Sequence, residues 1–214
     1  MISRPYFAAA LSTLTLLCAG TAVAAPVLDQ RQEAFGIGIP FGFSTSGNNL
    51  PVGQSFTAGL TGRLTSIQLF SNGTSDLNGL SNTVTMSVRA GATRSSTALG
   101  TATYTGHVTC TATCWFSFDF SSQAVDLVGG NAYHFDITSV TGPGAFGSRG
   151  IVGTSISTYA GGRVLPMPGY GSPDWDLTFR TYVDTSITSN VPEPGTLALA
   201  GLALLAAAGL RRKV

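Results

Sequence analysis

Cys110 and Cys114 are the two residues whose spacing points most directly to chemistry. In an oxidising compartment two neighbouring cysteines pair as a disulfide. On a straight strand their Cα atoms would lie about 13 Å apart, whereas a disulfide needs about 4.4–6.8 Å, so the residues between them must form a tight turn. His107 completes an H-x2-C-x3-C pattern that could seed a zinc site, but a fourth ligand is not evident. We therefore favour a structural disulfide over a metal site.

Residues suited to catalysis are scarce. The chain has only two histidines, His107 and His134, and it lacks the nucleophile-elbow, zinc-protease and phosphate-loop motifs. His134 alternates with aromatic residues in a strand-like segment, which favours a solvent-facing or hydrogen-bonded position. Asp174 and Asp176 are two residues apart at the start of another such segment, where they are expected to cap a turn. We predict no enzyme, no catalytic residue, no metal and no cofactor.

The region from 159 to 175 offers the residue types of a glycan site. Glycines and prolines mark a long loop there, and loops on a rigid β scaffold commonly carry binding sites. A sugar stacks its apolar face on an aromatic ring while fixed polar groups bind its hydroxyls. The predicted glycan contacts are Tyr159, Arg163, Tyr170, Asp174 and Trp175. The alternative is that Tyr159 and Trp175 pack at one end of the fold, because large aromatic side chains bury well.

Short segments with apolar residues at every second position surround these residues, a pattern typical of strands with one buried face. They lie at 64–69, 84–88, 115–120, 133–137 and 177–183. Turn-forming residues separate them, and no stretch before Thr196 keeps a helical period. Eight to ten such strands in residues 25–190 predict one all-β domain, a jelly-roll-like β-sandwich.

Threonines alternate along 101–105 and again along 109–113. Ice-binding faces also space threonines by two, but they repeat the array at a fixed period, and this chain has no internal repeat. Threonine is common on strand surfaces. We interpret the run as the exposed side of a strand.

Charge is sparse: Asp, Glu, Lys and Arg make up 10% of the chain, which also holds 27 Gly and 10 Pro, against a usual charged fraction of about 25%. Between residues 25 and 190, seven arginines and nine acidic residues leave a net charge of −2. Because no basic stripe is available to neutralise phosphates, we predict that nucleic acid is not a partner.

The first 24 residues predict a secretory signal peptide. A single cation, Arg4, precedes an apolar run over 6–18, and small residues follow up to Ala22 and Ala24, which form an A-x-A site for signal peptidase. We place the cut after Ala24, because a cut after Ala25 would leave a proline at the new N-terminus. The run is too short for a permanent membrane anchor.

The segment 196–210 has no charge and carries leucines on every helical face. A helix that is apolar all round has no side for water. It would span about 22 Å, short of the ~30 Å hydrocarbon core, so it would hold a precursor at the inner membrane only transiently. Arg211, Arg212 and Lys213 follow at once and are expected to stay cytoplasmic.

Val191, Pro192, Glu193 and Pro194 stand just before this helix. The two prolines hold the peptide extended, with Glu193 projecting where a protease could reach it. This motif, the apolar helix and the basic cluster, in that order over 191–214, resemble the PEP-CTERM sorting tail. The resemblance implies cleavage near the motif by a membrane-embedded exosortase, a cysteine transpeptidase-like enzyme of Gram-negative bacteria that make exopolysaccharide.

Four short sequence segments inside residues 25–190 carry a second resemblance: Gly53-Gln54-Ser55-Phe56, the stretch 127–135, Tyr159-Ala160-Gly161-Gly162 and the stretch 176–180. Together they resemble the bacterial choice-of-anchor ectodomains, β-sandwiches joined to several kinds of C-terminal anchor. That group has no assigned activity, so the resemblance implies fold and location only. We expect an exported structural protein of the cell envelope or extracellular matrix, associated with exopolysaccharide or biofilm. The alternative is a glycan-binding module.

Overall fold

The computed structural model describes residues 25–39, 42–43, 49–71, 82–94, 96–106, 114–141, 151–165 and 174–186. The predicted signal peptide, the sorting motif with its helix and basic cluster, His107, Cys110 and Tyr170 lie outside these residues. The disulfide therefore stays a prediction. In the described ranges no helix is long and apolar enough to cross a membrane.

Fourteen strands run through the described residues, and every pairing among them is antiparallel. Their bounds are β1 Val27–Gln32, β2 Ile37–Ile39, β3 Gly42–Phe43, β4 Asn49–Leu50, β5 Gly53–Thr57, β6 Gly62–Ser71, β7 Asn82–Ala90, β8 Ala98–Gly106, β9 Cys114–Asp119, β10 Asp126–Leu127, β11 Ala132–Thr141, β12 Ile151–Thr154, β13 Asp176–Leu177 and β14 Phe179–Asp184. Of the five strand segments predicted from the sequence, those at 64–69, 84–88 and 133–137 fall within single strands. The segment 115–120 extends one residue past β9, and the segment 177–183 spans the break between β13 and β14 at Thr178.

Two large sheets form the body of the fold. The front sheet has the order β1-β14-β6, with β9 and β10 both on the far side of β6, and the back sheet has the order β5-β11-β7-β8. Smaller sheets are formed by β13-β12-β2 and by β3-β4. The inner faces meet where Phe179 of β14 lies 6.4 Å from the ring of Phe56 and 5.5 Å from that of Phe135. The all-β sandwich is confirmed, while its jelly-roll character stays a prediction.

A β-bulge in β6 corrects the simple period-two prediction for 64–69. Leu64 and Ile67 are three residues apart, yet both are fully buried. The pairing of β6 with β14 skips Thr65, and such an extra residue turns the strand so that both apolar side chains face the core. The Thr65 hydroxyl donates to the carbonyl of Tyr182 at 3.0 Å, which ties the bulge to β14.

Candidate functional site

Asp176 organises the loop that carries the aromatic residues predicted to contact glycan. Its side chain is fully buried, and Oδ2 accepts the backbone N–H groups of Thr158 and Tyr159, both at 3.0 Å. Oδ1 accepts Nε2 of Gln54 at 3.0 Å, and Gln54 Oε1 accepts the N–H of Leu177 at 2.9 Å. The carboxylate thus fastens the loop to β5 and β13, a backbone-binding role of the kind expected at this position. No feature of the sequence indicated that Gln54 would bind Asp176 and Leu177.

Tyr159 lies in the core and not on the surface. Only 9% of the residue is exposed, and its ring stands at 90° to that of Phe179, 5.2 Å away. Its hydroxyl donates to Oε1 of Gln30 at 2.9 Å. Burial, with the nearby charges of Asp29 and Asp176, raises the pKa of Tyr159 well above its ordinary value. The hydroxyl therefore stays protonated near neutral pH and keeps donating, while the ring has no open face for a sugar.

The other described residues of the predicted glycan site divide between core and surface. Trp175 is half-buried against the core, and its carbonyl accepts the N–H of Val164 at 2.9 Å. Arg163 and Asp174 are exposed and flank this hydrogen-bonded pair. Segment 163–165 also pairs with β5, since Ser55 N–H donates to the Arg163 carbonyl at 2.9 Å. The structure thus brings Arg163 and Asp174 to neighbouring segments without an exposed aromatic ring among the described residues beside them.

A cluster of buried polar side chains lies on the outer face of β11. His134 is fully buried and Asp136 nearly so, which makes the prediction of a single buried face wrong for this strand. The carbonyl oxygen of Gly91 lies 2.8 Å from Nδ1 of His134. Arg89 Nε lies 3.4 Å from Oδ1 of Asp136, and His134 Nε2 lies 3.8 Å from the same oxygen. The buried carboxylate of Asp136 is thus paired with the guanidinium of Arg89, as a buried charge requires, whereas Nε2 of His134 has no hydrogen-bond partner among the described residues.

Arginines of this cluster hold the loop after β7 over the sheet. Arg89 donates from Nη1 to the carbonyl of Ser96, and Arg94 donates from Nη2 to the carbonyl of Pro51 at 3.2 Å. Burial lowers the pKa of Arg94, and the charge of Asp136 opposes that shift. In the part of the chain that the structure describes, no three His, Cys, Asp or Glu side chains are grouped to hold a metal ion. The hydrogen bonds of this cluster anchor the loop after β7.

A strip of aromatic side chains, which the sequence did not reveal, lies on the outer face of the front sheet. Phe35 contacts Phe70 with ring centres 5.5 Å apart, and Phe70 contacts Trp115, its partner across the strands, at 5.0 Å. The guanidinium of Arg180 lies 4.0 Å from the centre of the Trp115 ring. Phe35 is 60% exposed. We call Phe35, Phe70, Trp115 and Arg180 the aromatic strip.

Glu33 fixes the cationic end of the aromatic strip. Its Oε1 accepts Nε of Arg180 at 2.9 Å and Nη2 at 2.7 Å. The guanidinium is thereby held over the Trp115 ring, in a cation–π contact. The members of the strip come from four separate parts of the chain. Strand pairing brings Phe70, Trp115 and Arg180 together, and Phe35 reaches them from the loop after β1.

Comparison with known families gives one finding for the C-terminal end. The family described as "PEP-CTERM protein-sorting motif" matches residues 190–213. The chain carries a PEP-CTERM sorting tail. This confirms the predicted PEP-CTERM motif and supports an exported protein that an exosortase processes. The apolar helix predicted over 196–210 lies outside the described residues and stays a prediction. No curated protein matches the chain, and the likeness to choice-of-anchor ectodomains remains a prediction.

Proposed function

We propose that this chain is a structural protein of the cell envelope or extracellular matrix, associated with exopolysaccharide or biofilm. The observation that carries the proposal is the PEP-CTERM motif at 190–213. In this proposal signal peptidase removes residues 1–24 and an exosortase then acts on the tail, while the apolar helix holds the precursor at the inner membrane. The mature β-sandwich ends at the cell surface or outside the cell.

The chemistry of the described residues supports a structural role over an enzymatic one. Asp176 is bound to two backbone N–H groups and to Gln54, and the ring of His134 and the carboxylate of Asp136 lie under a loop. These buried groups hold backbone in place and are closed to solvent. We therefore keep the proposal that the protein is not an enzyme.

Intact-mass analysis of the protein purified from a native-like host, with and without its exosortase, tests the processing. We expect the mature protein to lack residues 1–24 and the apolar helix with its basic cluster. Glu193→Ala should leave the tail attached, whereas Glu33→Ala, a change of the only other glutamate, should be processed normally. A mass that still includes 196–214 in the exosortase-positive strain would contradict the proposal.

A second candidate function is glycan binding, and the aromatic strip is the observation that favours it. Phe35 presents an exposed ring against Phe70, and Phe70 in turn contacts Trp115, which lies under the Arg180–Glu33 pair. An exposed ring with fixed polar groups beside it is what a sugar needs. This surface replaces Tyr159 as the proposed stacking platform, because the ring of Tyr159 is buried.

A glycan array that includes the host's own exopolysaccharide tests this second function. Phe35→Ala should remove binding without unfolding the protein, since most of the side chain is exposed. Ile156→Ala, which removes another strongly exposed apolar side chain, 70% exposed and on a different loop, is the matched control. Binding that survives Phe35→Ala, or no binding by the wild-type protein, would exclude the aromatic strip as a glycan site.

A further inference from the structure

The edges of the two large sheets differ in how they are protected. An open edge strand offers unpaired backbone groups to another chain, and proteins guard against this with charges, bulges or covering segments. The β5 edge is covered, because Val164 bridges to Gln54 and the N–H of Leu165 donates to the Gly53 carbonyl at 2.9 Å. The back sheet is therefore closed on its β5 side.

The front sheet guards its edges by other means. The β1 edge is broken by a register shift at Asp29 and carries the charge of Arg31. Asp29 Oδ1 also accepts the N–H groups of Gly59 and Leu60 at 2.8 and 2.7 Å. The opposite edge is divided between β9 and β10, which carry Asp119 and Asp126. Charges and irregular pairing thus interrupt both edges.

β8, at the other edge of the back sheet, has one of these protections, a bulge at Leu99 near its start. Among the described residues no strand pairs with it on the side away from β7. Its nine residues, ALGTATYTG, include no charge and no proline. The one register shift in its pairing with β7 falls at the start of β8 and leaves 100–106 regular. Leu99, the residue of β8 at this shift, is 43% exposed. β8 is the edge best suited to accept another strand.

The sequence of β8 is complementary to itself in the antiparallel direction. With Thr103 at the two-fold axis, Thr101 faces Thr105 of the second copy, and the small Ala102 faces Tyr104. Thr101, Thr103 and Thr105 are exposed on the outer face. Their hydroxyls already form such contacts within the sheet, between Thr105 and Thr83 at 3.1 Å and between Thr101 and Ser87 at 3.2 Å. No like charges would meet across this pairing.

We propose that two copies of this protein associate through β8, edge to edge and antiparallel, so that their back sheets form one continuous sheet. We favour a second copy of the protein as the partner because its β8 is also uncharged. A charged strand from another protein would find no opposite charge along β8. Such pairing would let the protein build an assembly from its own copies. The inference goes beyond the proposed processing and does not depend on an exosortase.

Sedimentation velocity of the purified exported protein, over a wide concentration range, tests the association. We expect the weight-average mass to rise from one chain to two for the wild type and to stay at one chain for Thr103→Lys, which would place two like charges opposite each other. Thr141→Lys is the matched control, since Thr141 is equally exposed but ends β11, two strands away. This control should associate like the wild type.

A cross-link locates the contact without relying on a disruptive change. Thr103→Cys should give a disulfide-linked dimer on a non-reducing gel beyond any seen for the wild type, and Thr141→Cys should not. A wild type that stays monomeric at every concentration would overturn the proposal. So would Thr103→Lys that associates as strongly as the wild type, or equal cross-linking by the two cysteine variants.

Discussion

Single polar residues in this protein hold loops to the sandwich. Asp176 is the clearest case, because one buried carboxylate satisfies two backbone donors and one side-chain donor. Asp29 does the same for the turn between β5 and β6, where it accepts two backbone N–H groups. A carboxylate suits this work since it offers several acceptor lone pairs and no donor. Both carboxylates thus hold backbone in place.

Asp176→Asn tests this role at the scale of one residue. The amide would keep one acceptor oxygen but would turn an NH2 group toward a donor, either Nε2 of Gln54 or the backbone N–H groups. We expect the free energy of unfolding to fall by about 1–3 kcal/mol, the cost of a mispaired buried polar group. Urea unfolding of the purified protein measures it.

Asp174→Asn is the control for that change, because it makes the same substitution two residues away at an exposed position. Surface changes of this kind shift the free energy of unfolding by about 0.5 kcal/mol or less. Equal effects of the two substitutions would show that the hydrogen bonds of Asp176 contribute nothing particular to stability.

At the scale of elements, bulges decide which side chains enter the core. In β6 the extra residue Thr65 lets Leu64 and Ile67 face inward together. β11 repeats the device, because its pairing with β7 skips Thr138 and both Ile137 and Val140 are buried. Since strand side chains alternate strictly, one inserted residue is the way to bury two apolar residues three apart.

Deletion of Thr65 tests this account of β6. Because Thr65 is the extra residue, its deletion leaves Leu64 opposite Val183 and still facing the core. We expect the deletion variant to unfold cooperatively in urea, followed by circular dichroism, with a stability close to that of Thr65→Ala, which removes only the hydrogen bond to Tyr182 and should cost about 1 kcal/mol. If Thr65 were a regular residue of the ladder, its deletion would turn Leu64 to solvent and Arg63 toward the core, so a loss of cooperative unfolding would contradict this account.

At the scale of the whole molecule, the two ends of the described chain complete one sheet. β14, the last strand, lies between β1, the first, and β6. It contributes Phe179 and Val183 to the core, both fully buried. Folding of the front sheet therefore needs nearly the whole stretch from β1 to β14. The sorting tail begins only a few residues after this last strand.

Truncations measure how far the fold depends on its last strand. We expect a chain of residues 25–190 to unfold cooperatively with the midpoint of the mature exported protein, and a chain of residues 25–178 not to fold. A chain of residues 33–190, which lacks only the edge strand β1, should still unfold cooperatively at a lower urea concentration. If the chain without β14 unfolded cooperatively at the same urea concentration as the chain without β1, the central position of β14 in the sheet would not matter for stability.

The sequence alone predicted the sorting tail, the strand segments and the sandwich class, because each is a local pattern. Two prolines before an apolar helix and a basic cluster, or apolar residues at alternate positions, can be read from neighbouring residues. The exposed threonines at 101, 103 and 105 are a local pattern of the same kind, and the structure places them on the surface of β8.

Tertiary structure alone decided which aromatic rings face solvent and which sheet edge stays open. Tyr159 and Phe35 are both aromatic residues near turns, yet one is packed on Phe179 and the other is largely exposed. The aromatic strip joins residues 70, 115 and 180 through strand pairing and residue 35 through a loop contact, and no local pattern encodes either. Burial depends on what the rest of the chain places over a residue, and edge exposure depends on the order of strands in a sheet. Both are properties of long-range contacts, which single-sequence periodicity does not contain.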